Sequence, residues 1–258
     1  MKLAVISFSG NVGKSTIARH LLAPRLPGAR VIAIESINAD EGQSQSMRGF
    51  QFGELQEYLQ GVDDVVVDIG ASNVEELMRL MHLYQDSHEE FDCFIVPTVP
   101  PPKQQQDTIA TLADLHAVGV PSDRIHIIFN MVDDREPIER AFHNLLAFLE
   151  QQPIASANTS CRLGINEVYA RIRGSGADLA EIARDETDYK RLIAQATDRS
   201  EKMALGQKLA TRRLARGVVS QLDACFAALD LGRFAPGEAA ATANNGSANV
   251  SVLLGNGN

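Results

Sequence analysis

Five short apolar runs, separated by segments of helical period, set the strongest limit on how this chain can fold. They span Leu3 to Phe8, Arg30 to Ile34, Val65 to Val67, Cys93 to Val96 and Ile125 to Phe129. Their apolar residues are continuous rather than alternating, which is the pattern of strands covered on both faces. The intervening segments Ser15 to Leu22, Val74 to Tyr84 and Lys103 to His116 read as helices. Strand and helix in alternation predict an α/β fold: a doubly wound, mainly parallel sheet flanked by helices. A further helix is expected from Pro137 to Gln151, with Ile138, Ala141, Leu145, Phe148 and Leu149 at helical spacing. Beyond Asn158 the strands thin out. From about residue 165 the chain reads as a helical C-terminal region, whose last helix runs from about Thr197 to Leu231 with Leu214, Val218, Leu222, Phe226 and Leu229 along one face. Residues 1–232 are thus expected to form one domain. Residues 233–258, rich in Ala, Asn and Gly, read as a flexible low-complexity tail.

Composition narrows the classes. With 258 residues and 45% apolar content the chain can fill a sizeable core. A formal charge of −9 argues against a protein coated in basic charge, so any nucleic-acid contact has to come from a local patch. Cys93, Cys161 and Cys225 are too widely spaced for a disulfide framework or a C-x-x-C metal site, and buried thiols are expected. The six histidines show no H-E-x-x-H spacing. Met1-Lys2 leads straight into a four-residue apolar run, and no stretch approaches the ~20 apolar residues of a membrane span. A cytoplasmic protein without a membrane span is the expectation.

Between the first strand and the first helix lies "SFSGNVGKST", residues 7 to 16. A strand delivering the chain to a tight loop that opens a helix gathers unpaired N–H groups and the positive helix end at one point, which makes an anion cradle. Gly10 and Gly13 allow close backbone approach, and Asn11 is the non-glycine type that best tolerates a left-handed conformation. In this reading Ser9, Gly10, Asn11, Val12, Gly13, Lys14, Ser15 and Thr16 hold the phosphates of a nucleotide. Lys14 reaches the β/γ-phosphates, and the Ser15 hydroxyl ligates Mg²⁺. Asp68, at the exit of the strand Val65-Val66-Val67, supplies a carboxylate to the metal, and the Gly70 N–H is placed to approach the γ-phosphate. Where the ordinary G-x-x-x-x-G-K-[ST] pattern begins, however, this chain has Phe8.

These residues resemble the ParA/MinD-like deviant Walker ATPases, whose loop K-G-G-x-G-K-[ST] lacks that first glycine and aligns on Ser9 to Ser15. Further marks follow in order: Glu35 in "VIAIESINAD", Asp68, the proline-ended strand of "FIVPTVPP", and Asn130 in "IHIIFNMVDD". The resemblance implies ATP and Mg²⁺ as cofactors and Lys14, Glu35, Asp40 and Asp68 as catalytic residues, with Asn130 at the nucleotide base. It also implies a nucleotide-dependent homodimer serving plasmid stability, partition or conjugative transfer. A plasmid-encoded DNA-binding protein and non-specific DNA are its implied partners. Two departures stand out. Ser9 replaces the signature lysine that in relatives reaches the opposing subunit's nucleotide, and Lys103 is a candidate replacement. Ile37 takes the second place of the family's D-x-D pair, leaving Glu35 or Asp40 to organise the attacking water, so a slow ATPase is expected.

Several readings stay open on the residues. "NMVD" from Asn130 to Asp133 comes near the N-K-x-D pattern that reads guanine, with Asp133 either an acceptor or an ordinary surface acid. Lys208, Arg212 and Arg216 repeat at i, i+4, i+8 and, with Arg213, form a basic stripe fit for a DNA backbone, a membrane surface or plain solvation. Arg171 and Arg173 face a partner or end a helix. Two alternatives to the switch are a small-molecule kinase, for which residues 35–60 offer only Arg48 as a basic lid residue, and a nucleotide-binding scaffold with little turnover.

Overall fold

The computed structural model describes residues 1–34, 49–174 and 177–234. Its centre is a six-stranded sheet ordered β2-β3-β1-β4-β5-β6. The strands are β1 (Lys2–Val5), β2 (Arg30–Ile34), β3 (Val65–Ile69), β4 (Cys93–Thr98), β5 (Ile125–Val132) and β6 (Arg162–Gly164). All five strand pairings are parallel. The chain passes from β1 outward to β2, back to β3 beside β1, and then across to β4. The strand order therefore reverses at β1, the place where open α/β sheets hold their ligands.

Helices cover both faces, as the continuous apolar runs require. On one face α2 (Gly49–Gln60), α3 (Ala71–Leu83), α4 (Pro102–Ala117), α5 (Ile138–Ala141) and α6 (His143–Gln151) enclose Ala4, Val65, Val67, Phe94, Ile127 and Phe129. On the other, α1 (Lys14–Thr16) runs on without a break through a π-helical stretch, Ile17–Leu22. That stretch packs with α7 (Val168–Ile172), α8 (Leu179–Arg184) and α10 (Arg199–Leu229) over Leu3, Val5, Val66, Ile95 and Ile128. Alternate residues of β3 thus enter opposite cores. The remaining helix, α9 (Tyr189–Gln195), lies against α10.

Several expected boundaries shift. β1 ends at Val5 rather than Phe8, and β3 continues past Val67 to Ile69, so Asp68 lies within the strand rather than after it. The helix expected from Pro137 to Gln151 is broken at Phe142. There the Gln105 side chain enters the helical ladder, its Nε2 donating to the Ala141 carbonyl (2.9 Å) and its Oε1 accepting from the Leu145 N–H (3.2 Å). A continuous helix would join those two backbone groups to each other. Phe142 turns inward, edge-on to Phe129 with ring centroids 4.9 Å apart. β6 was not foreseen, because three residues at a sheet edge carry too little pattern to see.

The C-terminal helix fits its expected span closely. Asp198 starts it by accepting from the Glu201 N–H at 2.9 Å, and Asp230 ends it at φ 50°. Gly206 and Gly217 do not interrupt it. All three cysteines are buried, and burial pushes the Cys161 thiol up to about 11 and Cys225 to about 12. Residues 235–258, nearly all of the expected tail, lie outside the described residues. Among the described residues no helix is long and apolar enough to cross a membrane.

Leu222 is 1% exposed and anchors α10 in the second core, so Leu222→Ala should lower the unfolding free energy by about 2–5 kcal/mol in urea titration. Met203→Ala, on the same helix at a position 58% exposed, should change it by less than ~0.5 kcal/mol.

Candidate functional site

The loop after β1 rises at the point where the strand order reverses. Asn11 takes φ 58° and Gly13 φ 91°, and this pair of left-handed residues folds the backbone back toward β1 before α1 begins. Gly13 is required twice over. A Cβ there would lie 2.3 Å from the Asn130 Nδ2, and the backbone angle itself disfavours any side chain.

Lys14 is buried, only 8% exposed, with its ammonium turned back under the loop. It donates to the Ser7 carbonyl at 3.1 Å and to the Ser9 carbonyl at 2.6 Å. Burial lowers its pKa from the ordinary 10.5 to about 8, and the nearby Asp68 carboxylate partly offsets that shift. Asp68 itself is 3% exposed, in register with Val5 of β1 on one side and Ala33 of β2 on the other. The strand pairing therefore brings Asp68 beside the strand that leads into the loop.

Other expected site residues make bonds within the chain. Ser9 is 4% exposed, and its Oγ donates to Asp107 Oδ2 on α4 at 2.5 Å. Asp107 also pairs with Lys103 at 3.1 Å, and these bonds, Ser9 foremost, lower the Asp107 pKa. Lys103, the candidate substitute cation, is thus joined to Ser9 through Asp107. Asn130, expected at the base, bonds to the loop. Its Nδ2 donates to the Val12 carbonyl at 2.8 Å, while its Oδ1 accepts from the Met131 N–H at 2.9 Å. Gly70 N–H, expected at a γ-phosphate, donates to the Ile34 carbonyl at 2.8 Å and so extends the β2–β3 ladder. Asp133 is exposed and accepts from the Arg135 N–H, closing a turn. Glu35, Ile37, Asp40 and Arg48 lie outside the described residues.

The basic stripe divides in two. Arg212 donates to the carbonyls of Asp185 (2.9 Å) and Thr187 (2.6 Å), with its guanidinium 4.9 Å from the Tyr189 ring centre. Arg216 donates to the Ala183 carbonyl at 2.9 Å. Both cations satisfy carbonyls at and just beyond the end of α8, where a positive charge is favoured. Lys208 and Arg213 remain exposed.

Asp107 is the supporting residue that sequence reasoning missed. Its only sequence signal is the i, i+4 spacing from Lys103, which predicts a surface pair rather than a hold on a loop nearly a hundred residues away. Thr111, one turn further along α4, adds a second hold by accepting from the Phe8 N–H at 3.1 Å. Among the described residues no group of three or more His, Cys, Asp and Glu could hold a metal by themselves. Ser15 and Asp68, expected as ligands of Mg²⁺, carry oxygen donors of the kind that ion takes, and such a site would need a nucleotide's phosphates to complete it.

Fold and site together describe a doubly wound α/β protein with a glycine-containing anion cradle at its switch point. No family model matches the chain, and no curated protein matches it. Distant structural likenesses exist. The apo form of McdA from Cyanothece has a TM-score of 0.46 at 14% identity, over 86% of this chain and 98% of that one. A Cyanothece McdA variant in complex with ATP gives 0.43 at 14% identity, over 81% and 96%. The ParA of pNOB8 bound to nonspecific DNA gives 0.33 at 12% identity, over 86% and 98%. Likenesses this remote settle neither family nor ligand.

Gly13→Ala should lower stability by about 1–3 kcal/mol, measured by thermal unfolding. An alanine protein as stable as the parent would show that neither the left-handed angle nor the approach of Asn130 constrains this position.

Proposed function

We propose that the chain is a Mg²⁺-nucleotide switch of the ParA/MinD-like kind. It takes ATP in the loop of each subunit, dimerises on binding, hydrolyses slowly and controls a partner by its dimer state. The more particular resemblance is to the plasmid stability protein StbB, a ParA-like protein associated with plasmid maintenance and conjugation. Plasmid stability, partition or conjugative transfer is accordingly the proposed output, with a plasmid-encoded DNA-binding protein as partner, in the cytoplasm. Residues 1–232 are the working domain in this reading.

The observation that carries the proposal is the buried Lys14 ammonium, hydrogen-bonded to two loop carbonyls within a left-handed glycine turn at the switch point, with the Asp68 carboxylate offsetting only part of the effect of its burial. A cation desolvated in this way favours an added anion, and polyphosphate is the anion that a strand-loop-helix cradle fits. The donor set is consistent with Mg²⁺ as well, since the Ser15 hydroxyl and the Asp68 carboxylate are hard oxygen ligands. Bound there, the metal would neutralise charge on the phosphates. Lys14 would hold the β/γ-phosphates, while Glu35 and Asp40 are the proposed residues for orienting the attacking water.

Light scattering after size exclusion should show a dimer only with Mg²⁺-ATP, and Lys14→Ala should remain monomeric with nucleotide affinity weakened by about tenfold or more. A monomer under all conditions would sink the switch. Affinity should also depend on pH. Below about pH 8 Lys14 carries its charge, whereas from about 8 toward its ordinary 10.5 the free protein holds it neutral, so ATP affinity should fall as pH rises through that window. In the same window the unfolded chain binds the extra proton, so this group makes the free protein more stable with rising pH. Lys14→Arg should remove both trends.

For DNA, the exposed Lys208 and Arg213 are the proposed contacts of the stripe, and Arg212 and Arg216 are its supports. Lys208→Glu with Arg213→Glu should abolish a salt-sensitive gel shift while leaving the melting temperature near that of the parent. A retained shift would remove this helix from DNA contact.

A further inference from the structure

Ser9 is bonded at three points. Its N–H donates to the Ser7 Oγ at 3.2 Å, its carbonyl accepts from the Lys14 ammonium at 2.6 Å, and its Oγ donates to Asp107 at 2.5 Å. The first two bonds stay within the loop, and the third leaves it for α4. Asp107 reaches the same stretch a second time through its backbone. Thr111, one turn further along α4, donates its hydroxyl to the Asp107 carbonyl at 2.8 Å and accepts from the Phe8 N–H at 3.1 Å. Two successive residues of the loop are thus held by two groups one turn apart on a single helix.

By charge alone, a carboxylate is a poor neighbour for an anion cradle, because it repels the polyphosphate that the cradle would take. What it offers in exchange is a strong acceptor, since a hydrogen bond to an ionised group is roughly twice as strong as one between neutral groups. Asp107 is placed to give that hold. The Ser9 bond is the foremost cause of its lowered pKa, with Lys103 adding to the shift, so the carboxylate stays ionised at pH 7. Lys103, 3.1 Å away, offsets part of its negative charge.

We propose that Asp107 is a positioning residue of the phosphate loop: through the Ser9 hydroxyl it fixes the Ser9 carbonyl, and through that carbonyl the place of the Lys14 ammonium. This rests on the phosphate-loop reading above. The hold is built from outside the loop, on a helix whose register is set by its own buried contacts. Gln105 bonds to the Pro100 and Ala141 carbonyls, and Thr108 donates to the Gln104 carbonyl at 2.8 Å and to the Thr98 hydroxyl at 3.0 Å. α4 is thus anchored to the end of β4 on one side of the loop contact and to α5 on the other.

Positioning and charge predict opposite signs, which makes the assignment testable with Mg²⁺-ATP by calorimetric titration, well below the melting temperature of each variant. Asp107→Ala removes both the acceptor and the negative charge and should weaken ATP by about tenfold. Asp107→Asn keeps an oxygen that can accept from Ser9 and should restore affinity to within about threefold of the parent. Ser9→Ala should cost as much as Asp107→Ala, and the double variant no more than either, because all three lose the same bond. Should Asp107→Ala fail to fold, Ser9→Ala and Asp107→Asn still decide the matter. Unchanged or tighter binding in Asp107→Ala or Ser9→Ala would overturn the assignment. So would an asparagine protein as weak as the alanine one, or losses that add in the double variant. If the parent does not bind Mg²⁺-ATP, or Lys14→Ala binds it equally well, the phosphate-loop reading itself has failed; if Lys14 matters and the Asp107 and Ser9 variants bind as the parent does, only the positioning role has.

Discussion

The ammonium of Lys14 is withdrawn from water and bound by two carbonyls of the chain segment that leads to it, and much of the surrounding structure exists to keep those carbonyls in place. Ser7 follows two residues after β1, and its Oγ accepts from the Ser9 N–H at 3.2 Å. The Ser9 carbonyl is fixed by its own side chain, which is tied to Asp107 on α4, while Phe8 between them is tied to Thr111 of the same helix. From the other side Asn130 holds Val12. A loop of glycine, asparagine and serine has high conformational entropy when free. Bonds from β5 and α4 remove that freedom before any ligand arrives, so less ordering remains to oppose binding.

The same bonds link the loop to distant parts of the fold. α4 carries Lys103, Asp107 and Thr111 toward the loop, and Gln105 one residue from that row toward the break between α5 and α6. Its buried face is therefore partly polar, with Gln105, Thr108 and Thr111 inside beside the apolar Leu112 and Leu115. A polar seam in a core is satisfied only in one arrangement, since each unpaired group would cost about 1–3 kcal/mol. α4 is thus fixed in register between the loop and α6 as an apolar helix would not be.

The layout of the sheet was legible because parallel strands covered on both faces leave continuous apolar runs, and five of the six strands have one. β6 is three residues long, so it leaves none. The loop was legible in its backbone: Asn11 and Gly13 do take left-handed angles, at 58° and 91°. Side-chain assignments drawn from resemblance were less secure, because motif position gives the place of a residue but not its partner. Asn130 and Ser9 sit where the alignment puts them, yet each bonds inward, through contacts 118 and 98 residues away along the chain. The basic stripe is divided by contacts that spacing does not give. Spacing at i, i+4, i+8 places Lys208, Arg212 and Arg216 on one face of α10, but α8 ends against that face and its terminal carbonyls take two of the three cations.

Ser9 is where these arguments meet. A lysine at this position would have the Asp107 carboxylate within reach of its stem, since the Ser9 Oγ already lies 2.5 Å from it. The acid that a lysine would have needed to avoid is present on α4, already paired with Lys103. Serine fits because it is short enough to donate to Asp107 and uncharged, so the Asp107–Lys103 pair is balanced without it. The loop and α4 are therefore matched to each other, and a second positive charge beside Lys14, that of Lys103, is exposed at the start of α4 and joined to the loop through Asp107 and Ser9.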